Sequence, residues 1–360
     1  MPKRSLAAAL AGALVLSIVT VHYAERSLLP LVEAARLTLY GDQTYTTALH
    51  GCPSPGRSRA WVHPTALALT VYGDAQRILR GAFGSHGPEV LPDYARQSAG
   101  VDELLCVADY VLEVAHVEEL DGRQVRRIVF DVPEATYGIA GGWVSGLAQG
   151  MAGQVLLAAH LETGDGKYLR AARELRNLYY VPVASGGVRV EMAPQQAWYE
   201  EYAHPGTRPP LVLNGHLLAL DFLYWMSRVD GGAETAALFD SGVRAAVATI
   251  DRYSGRAWSY YDQRHHLATG KYHAFHVRQL RRYEMHDTSG ALRAARKRMQ
   301  WQQAVPLGVF QRLFTQPSRL LAFLAGTCFA LYVLLFFAAR QVRRQYSRGK
   351  ATRRPSRADR

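Results

Sequence analysis

Three short segments of the chain concentrate side chains that can move protons or neutralise negative charge. They read Trp-Tyr-Glu-Glu-Tyr at 198–202, Tyr-Tyr-Asp-Gln-Arg-His-His at 260–266 and Lys-Tyr-His-Ala-Phe-His at 271–276. The adjacent Glu200 and Glu201 stand among three aromatic residues, unlike the acids of a solvated charge run. Loops with this composition, held by a rigid scaffold, commonly form binding or catalytic sites. The three segments are therefore candidates for a site that carries out acid–base chemistry.

The elements that must position these segments are mainly helices. Apolar residues recur at helical spacing in several stretches, which are residues 64–80, 102–117, 143–162, 167–180, 215–229, 234–253 and 271–283. A Thr-Gly-Asp-Gly stop at 163–166 joins two of them into a helical hairpin, and a second pair is joined near Asp230-Gly-Gly. Residues 126–138 read as a strand-like piece. Such helical pairs predict a mostly α fold, either an (α/α) toroid or a helical solenoid, with loops such as 183–212 lining one end.

Both ends of the chain carry long apolar stretches. Residues 320–339 contain no charge over 20 positions, which is enough to cross a bilayer as a helix. A second stretch, residues 6–21, follows Lys3 and Arg4 and predicts either an uncleaved anchor or a cleaved signal peptide. Nine cations follow residue 339 and mark the cytoplasmic side. The expected topology is two spans with both termini cytoplasmic and residues 25–316 exported.

This topology changes the meaning of the formal net charge of +12. Removing the two cations before the first apolar stretch, and the nine cations and one acid after the second, leaves an exported region with a net charge of about +2. Nucleic-acid binding therefore loses its main support. The predicted domains are an anchor at 1–24, an exported domain at 25–316, a transmembrane helix at 317–340 and a basic tail at 341–360.

Cysteine usage excludes a disulfide scaffold and a cysteine-rich zinc module, because the chain has only three cysteines. Cys52 and Cys106 fall in the exported region and could pair, or could equally be buried free thiols. Cys328 lies inside the second apolar stretch and is expected to behave as a small apolar residue.

Five motifs together resemble the C-terminal catalytic domain of the D-glucuronyl C5-epimerases. In chain order they are Gly-Trp-Val-Ser-Gly at 142–146, Leu-Glu-Thr-Gly-Asp-Gly at 161–166, Trp-Tyr-Glu-Glu-Tyr followed by Leu-Asn-Gly at 213–215, Tyr-Asp-Gln-Arg-His at 261–265, and Tyr-His-Ala-Phe-His at 272–276. Their order and spacing follow the family over residues 140–285. The resemblance implies an (α/α) toroid and activity on glucuronic acid within a polysaccharide.

The resemblance also implies roles for individual residues. Glu201 and Tyr202 match the family's acid–tyrosine pair, and Tyr261 and Tyr272 match its other two tyrosines. The substrate contacts that it implies are Asn214 and Arg264. Two further contacts, Trp198 as a wall on which a sugar stacks and His273, are predicted from their positions in these segments, whereas Trp143 is expected in the core. The β-rich region that precedes the toroid in animal members is much shorter here, so Tyr40, Tyr45 and Tyr137 are only candidates for the tyrosines that this region supplies. The proline that follows the family's Trp-Tyr-Glu-Glu-Tyr motif is Ala203.

The implied chemistry explains these residue types. Inversion at C5 of a uronate removes a proton α to a carboxylate and returns one to the opposite face through an enolate. Arg264 can neutralise the carboxylate, while Glu201 and Tyr272 can exchange protons on the two faces. Which of them acts as base on each face is left open. The scheme needs no cofactor. His273 and His276 are spaced i, i+3 and could face a metal, but two histidines without a clear third ligand favour structural hydrogen bonding.

The leading prediction is a membrane-anchored isomerase that converts D-glucuronosyl to L-iduronosyl residues in a heparosan-like or other glucuronan. Its expected partners are an acidic polysaccharide and the membrane, and a homodimer stays open. A polysaccharide lyase is the first alternative, since lyases share the enolate step and then expel the group at C4. A non-catalytic glycan-binding protein of the cell envelope is the second.

Overall fold

The computed structural model describes residues 3–40, 64–84, 100–317 and 319–352. The chain divides into two compact units. The central unit comprises residues 36–301, and the terminal unit comprises residues 1–35 and 302–360. Cys52 and Tyr45 lie outside the described residues, so the pairing of Cys52 with Cys106 stays a prediction, although Cys106 itself is disulfide-bonded. Cys328 is a free thiol.

The central unit is mostly helical, as predicted. Its helices are α2 (Pro64–Phe83), α3 (Val101–Val114), α4 (Gly146–Thr163), α5 (Gly166–Asn177), α6 (Leu213–Asp230), α7 (Ala233–Thr249) and α8 (Gly270–Tyr283), and α9 (Ala291–Ala304) runs on past its boundary. The predicted hairpin turns are present, because Gly164 and Gly231 end α4 and α6 in the left-handed conformation. The closed toroid stays a prediction.

Three small antiparallel sheets accompany these helices. They are formed by β1 (His116–Leu120) with β2 (Arg123–Arg127), β3 (Val129–Phe130) with β4 (Trp143–Val144), and β5 (Arg189–Ala193) with β6 (Gln196–Tyr199). The prediction of a strand within residues 126–138 is thus confirmed in part, by the end of β2 and by β3. The β5–β6 hairpin occupies residues that the sequence analysis assigned to a loop, because its strands are too short to show a clear alternation.

The core of the central unit forms around α4 and α6, which are buried over most of their length. Glycines allow these helices to approach closely. A Cβ on Gly153 would lie 2.3 Å from the Phe222 ring, and one on Gly150 would lie 3.3 Å from the Ala219 backbone. The close contact fixes the direction of α6, whose first turn carries the Leu-Asn-Gly motif.

The terminal unit contains α1 (Lys3–Tyr40), α10 (Leu307–Thr315) and α11 (Arg319–Thr352). Two stretches in it, Leu6–Glu25 and Leu321–Tyr346, are long and apolar enough to cross a membrane. This is consistent with the predicted spans, while the orientation stays a prediction. The helix α11 continues well into the region predicted as a basic tail.

The contact between Gly153 and Phe222 predicts a stability change for one added methyl group. Gly153→Ala should lower the free energy of unfolding by about 1–3 kcal/mol, because the new Cβ overpacks a buried ring. The matched control is Gly81→Ala, in the last turn of α2 with nothing within 4 Å of its Cβ position. It should raise stability by about 0.5–1 kcal/mol through helix propensity alone. Urea unfolding in mild detergent measures both, and equal effects of the two substitutions would contradict the packing argument.

Candidate active site

The Trp-Tyr-Glu-Glu-Tyr segment leaves β6 and is held by the backbone that precedes α4. Val144 and Ala203 exchange two backbone hydrogen bonds of 2.9 Å, and the Gly146 amide donates to the Glu200 carbonyl at 2.8 Å. A Cβ on Gly146 would lie 2.9 Å from that carbonyl oxygen, so a side chain there would push the segment away. The first and third motifs of the sequence therefore form one structural unit.

The Glu200 side chain holds together the two ends of the loop formed by residues 201–211. Its side chain is fully buried, and it accepts hydrogen bonds from the amides of Glu201 at 2.8 Å, Tyr202 at 3.2 Å and Leu211 at 2.7 Å. Burial raises the pKa of Glu200 to about 7, although these amide donors oppose the shift. Leu211 is held with φ at 58°, which is uncommon for a branched apolar residue. The Glu200 carboxyl group is thus bonded to backbone amides, whereas that of its neighbour Glu201 is bonded to side chains.

Glu201 lies against the first turn of α6. Its carboxyl Oε2 is 3.4 Å from Asn214 Nδ2, and a Cβ on Gly215 would lie 2.3 Å from the same oxygen. Burial, and next the charge of Glu200, raise the pKa of Glu201 to about 8. Hydrogen bonding to the Tyr202 and Tyr261 side chains opposes the shift. A carboxyl group with such a pKa can both accept and release a proton near neutral pH.

Four tyrosines belong to the surroundings of this carboxyl group. The rings of Tyr261 and Tyr272 are 4.8 Å apart, and those of Tyr137 and Tyr202 are 5.0 Å apart. Burial is the main cause that raises the pKa of Tyr137, Tyr202 and Tyr261, and the charge of Glu201 adds to it in all three. The structure thus brings the predicted catalytic residues Glu201, Tyr202, Tyr261 and Tyr272 together and adds Tyr137, one of the three candidate tyrosines.

Hydrogen bonds from α6 and α8 hold in place the segments that carry Asn214, Tyr261 and Tyr272. The Leu213 amide donates to the Tyr261 carbonyl at 3.1 Å, which joins the start of α6 to the Tyr-Asp-Gln-Arg-His segment. Gln279 Nε2 on α8 donates to the Asn214 carbonyl at 3.1 Å. The Thr269 hydroxyl caps α8 by accepting from the Tyr272 amide at 3.3 Å. The predicted contact Asn214 is therefore held beside Glu201 from two sides.

Asp262 organises the turn that carries Arg264. The buried Asp262 carboxylate accepts the Tyr137 hydroxyl at 2.7 Å, pairs with His266 Nδ1 at 2.6 Å, and accepts the Arg264 and His266 amides at 2.9 and 3.1 Å. Sequence reasoning did not assign a role to Asp262. The signal was present, since an Asp followed two residues later by a loop residue commonly bonds that residue's amide.

Arg264 lies at the exposed edge of the cluster. Its guanidinium carbon is 5.1 Å from the centre of the Tyr137 ring, and its Nη2 donates to the Arg208 carbonyl at 2.5 Å. Tyr137 in turn contacts Tyr202. Arg264 is therefore near the cluster but is reached from solvent, and its predicted contact with a substrate carboxylate stays a prediction.

The structure corrects the predicted role of Trp198. The sequence analysis expected its indole to form a wall on which a sugar stacks, but the side chain is 0% exposed. It is stacked on His216 at 3.9 Å and on Tyr253 at 5.6 Å. Trp143 is in the core, as predicted, at 7% exposure and with its ring 5.1 Å from that of Tyr202. Trp198 is a core residue, and Trp143 packs behind the tyrosine cluster.

His273 is also placed differently from its prediction as a substrate contact. It is fully buried, with Nδ1 2.8 Å from the Ser259 hydroxyl, Nε2 2.9 Å from the Met299 carbonyl, and its ring stacked on Trp258. Both ring nitrogens are therefore used within the fold. Its neighbour His276 is buried and Nδ1 lies 3.4 Å from the same hydroxyl. Within the described ranges, no group of three or more His, Cys, Asp or Glu residues is arranged to hold a metal ion.

The two adjacent glutamates should respond differently to the loss of their charge. Glu200→Gln should lower the free energy of unfolding by about 1–3 kcal/mol at pH 4, where this carboxyl group is largely neutral in both states, because an amide nitrogen cannot accept the backbone donors. Glu201→Gln should instead become progressively more stable than the wild type as pH rises. The wild type must ionise a carboxyl group whose pKa rises from 4.5 to about 8 on folding, and this cost is absent at acid pH and complete above pH 8. Urea unfolding at several pH values measures both, and a pH-independent difference for Glu201→Gln would contradict the assigned burial.

Comparisons with known proteins bear on the same region. Over 155 residues the chain is 36% identical to a D-glucuronyl C5-epimerase of Caenorhabditis elegans, covering 38% of this chain and 25% of that protein. Over 185 residues it is 30% identical to an uncharacterized protein of Methanocaldococcus jannaschii, covering 49% of this chain and 59% of the other. The match thus spans less than two thirds of either relative. A family model described as the D-glucuronyl C5-epimerase C-terminus matches residues 123–302, half of the chain, and the chain therefore belongs to the D-glucuronyl C5-epimerase family.

Proposed function

We propose that this protein epimerises D-glucuronosyl residues of a polysaccharide to L-iduronosyl residues at C5. The observation that carries the proposal is the buried carboxyl group of Glu201, held against Asn214 with tyrosines around it. Removal of the C5 proton needs a base strong enough to take it and an environment that stabilises the enolate. A carboxyl group with pKa of about 8 is a better match to that task than an exposed glutamate.

The proposed reaction uses two proton-exchanging groups on opposite faces of the sugar ring. One of Glu201 and Tyr272 removes the C5 proton, and the electron pair of the broken C–H bond moves into the carboxylate to form the enolate. The other group then donates its proton to C5 from the opposite face, and solvent exchange restores both groups. Tyr202 and Tyr261 would donate hydrogen bonds to the enolate oxygens, and Asn214 would orient the sugar.

Arg264 is proposed to neutralise the substrate carboxylate. A guanidinium matches the geometry of a carboxylate with two parallel hydrogen bonds, and this reduces the charge that builds up in the enolate. Its exposure beside Tyr137 supports this role, because the group can meet a polymer that arrives from solvent. Arg208, whose carbonyl oxygen accepts from Arg264, is also exposed and adds positive charge at the same edge.

The substrate is proposed to be an acidic polymer of the heparosan or glucuronan type, met on the outer side of a membrane. The near balance of charge in residues 25–316 indicates that recognition would depend on a few placed cations rather than on a general basic field. The two apolar helices of the terminal unit support attachment to a membrane. Both termini are then proposed to lie in the cytoplasm.

Incubation with a glucuronan in deuterated water tests the reaction. The wild type should introduce deuterium at C5 and form iduronosyl residues without cleaving the chain. Glu201→Gln and Tyr272→Phe should each lower the exchange rate by at least about a hundredfold, in line with the usual contribution of a general acid or base. The control Glu191→Gln, at an exposed position of β5, should exchange at the wild-type rate. Unsaturated uronates that absorb ultraviolet light would show a lyase instead, and polymer binding without exchange would show a binding protein.

The pKa of Glu201 predicts how the reaction rate depends on pH. The active enzyme holds one proton between Glu201 and Tyr272, and this proton count is the same for both directions of the reaction. The rate should therefore rise about tenfold per pH unit up to about pH 8 in both directions, because the enzyme must first lose the proton that Glu201 binds with a pKa of about 8. Initial rates from glucuronosyl and iduronosyl polymers measure this. A rate that does not change between about pH 6 and pH 8 would contradict the assignment.

A further inference from the structure

The short helix α10 in the terminal unit has two faces of opposite character. Gly308, Val309 and Arg312 are buried on one face. On the other, Leu307, Phe310 and Phe314 are 50%, 49% and 58% exposed, and the two phenylalanine rings are 4.8 Å apart. Three large apolar side chains at positions i, i+3 and i+7 form a continuous stripe along a helix. We call these three residues the α10 stripe.

The buried face fixes α10 to the two long apolar helices. Val309 packs in a cluster with Ile18, Val21, Leu321 and Ala325. Arg312 forms a bidentate ion pair with Glu25 on α1, with nitrogen–oxygen distances of 2.7 and 2.6 Å. Both partners are largely shielded from water, so this pair is a specific attachment rather than a mobile surface contact. The orientation of the α10 stripe is therefore set by its opposite face.

This attachment lies at the C-terminal end of the first apolar stretch and at the N-terminal end of the second. Glu25 is the last residue of the stretch Leu6–Glu25, and Leu321 is the first residue of the stretch Leu321–Tyr346. The Thr20 and Tyr332 hydroxyls, 2.6 Å apart, join the two helices further along. If these stretches cross a bilayer, α10 lies at one surface of it, on the side away from the cations that follow residue 339.

We propose that α10 is an interfacial helix whose stripe inserts into the lipid bilayer at the boundary between headgroups and acyl chains. A short amphipathic helix beside a span binds this boundary by burying its apolar face, while its polar parts stay in the headgroup layer. Large apolar side chains are exposed on the neighbouring α11 as well, where Phe323, Leu331 and Leu334 are 68%, 54% and 65% exposed. Exposed apolar surface of this extent is typical of contact with lipid rather than with water.

Site-directed spin labelling of the full chain in liposomes of phosphatidylcholine and phosphatidylglycerol tests the proposal. In a Cys328→Ala background, nitroxides are attached without reductant to Phe310→Cys or Phe314→Cys. Two controls carry the label at Thr315→Cys, a polar exposed position of the same helix, and at Val117→Cys, a 45% exposed apolar position on β1. Collision with oxygen, which concentrates in lipid, is compared with collision with a water-soluble nickel chelate.

Labels on the α10 stripe should give an oxygen-to-nickel collision ratio several-fold higher than the label at Val117, with the label at Thr315 in between. Equal ratios at Phe310, Phe314 and Val117 would overturn the proposal, because the stripe would then face water. Dipolar broadening between labels on two chains would overturn it in favour of a second copy of the protein. Low collision with both reagents would show that protein covers the stripe. Because each variant carries one label at an exposed position, the two labels on the stripe report independently.

Discussion

The geometry of the site depends on one buried carboxylate that takes no part in the proposed chemistry. Glu200 accepts three backbone amides from the loop that leaves β6 and enters α6. These charge-assisted hydrogen bonds replace the water that the carboxylate loses on burial, and they fix the loop tightly enough to hold Leu211 in a left-handed conformation. As a result the next residue, Glu201, is turned toward Asn214 in a site poor in water. The raised pKa of Glu201 follows from that placement.

The helices position the site by close packing as well as by hydrogen bonds. Glycines on α4 allow α6 to pack against it, and Gly215 allows the Glu201 carboxyl group to lie directly on the first turn of α6. The Tyr-Asp-Gln-Arg-His turn is then attached to that same first turn through the Leu213 amide. The Trp-Tyr-Glu-Glu-Tyr segment, the Tyr-Asp-Gln-Arg-His turn and α8 are far apart in the sequence. They meet at the first turn of α6 because each is hydrogen-bonded to that turn or to the loop that precedes it. A larger residue at any of these contacts would separate the acid from its tyrosines.

The terminal unit differs from the central unit in the apolar surface that it exposes. Its long helices expose apolar side chains that a soluble domain would bury, and a largely shielded ion pair between Glu25 and Arg312 fixes the short α10 to them. The interfacial position proposed for α10 would give that apolar surface a lipid environment. Attachment to a membrane and action on a long extracytoplasmic polymer would then belong to separate units of the chain.

Local sequence patterns determined the helical class, the hairpin turns at Gly164 and Gly231, the two apolar stretches and the residue types of the site, since each depends on periodicity or on a motif within one segment. The family resemblance placed Glu201, Tyr202, Tyr261 and Tyr272 together. Only the tertiary structure decided which aromatic and imidazole rings are accessible. Trp198 and His273 lie in reactive-looking motifs yet are buried, because rings from other segments cover them, His216 and Tyr253 over Trp198 and Trp258 over His273. It also assigned different tasks to the adjacent Glu200 and Glu201 and brought in Tyr137 and Asp262. Burial and hydrogen-bond partners arise from segments distant in sequence, and no local pattern records them.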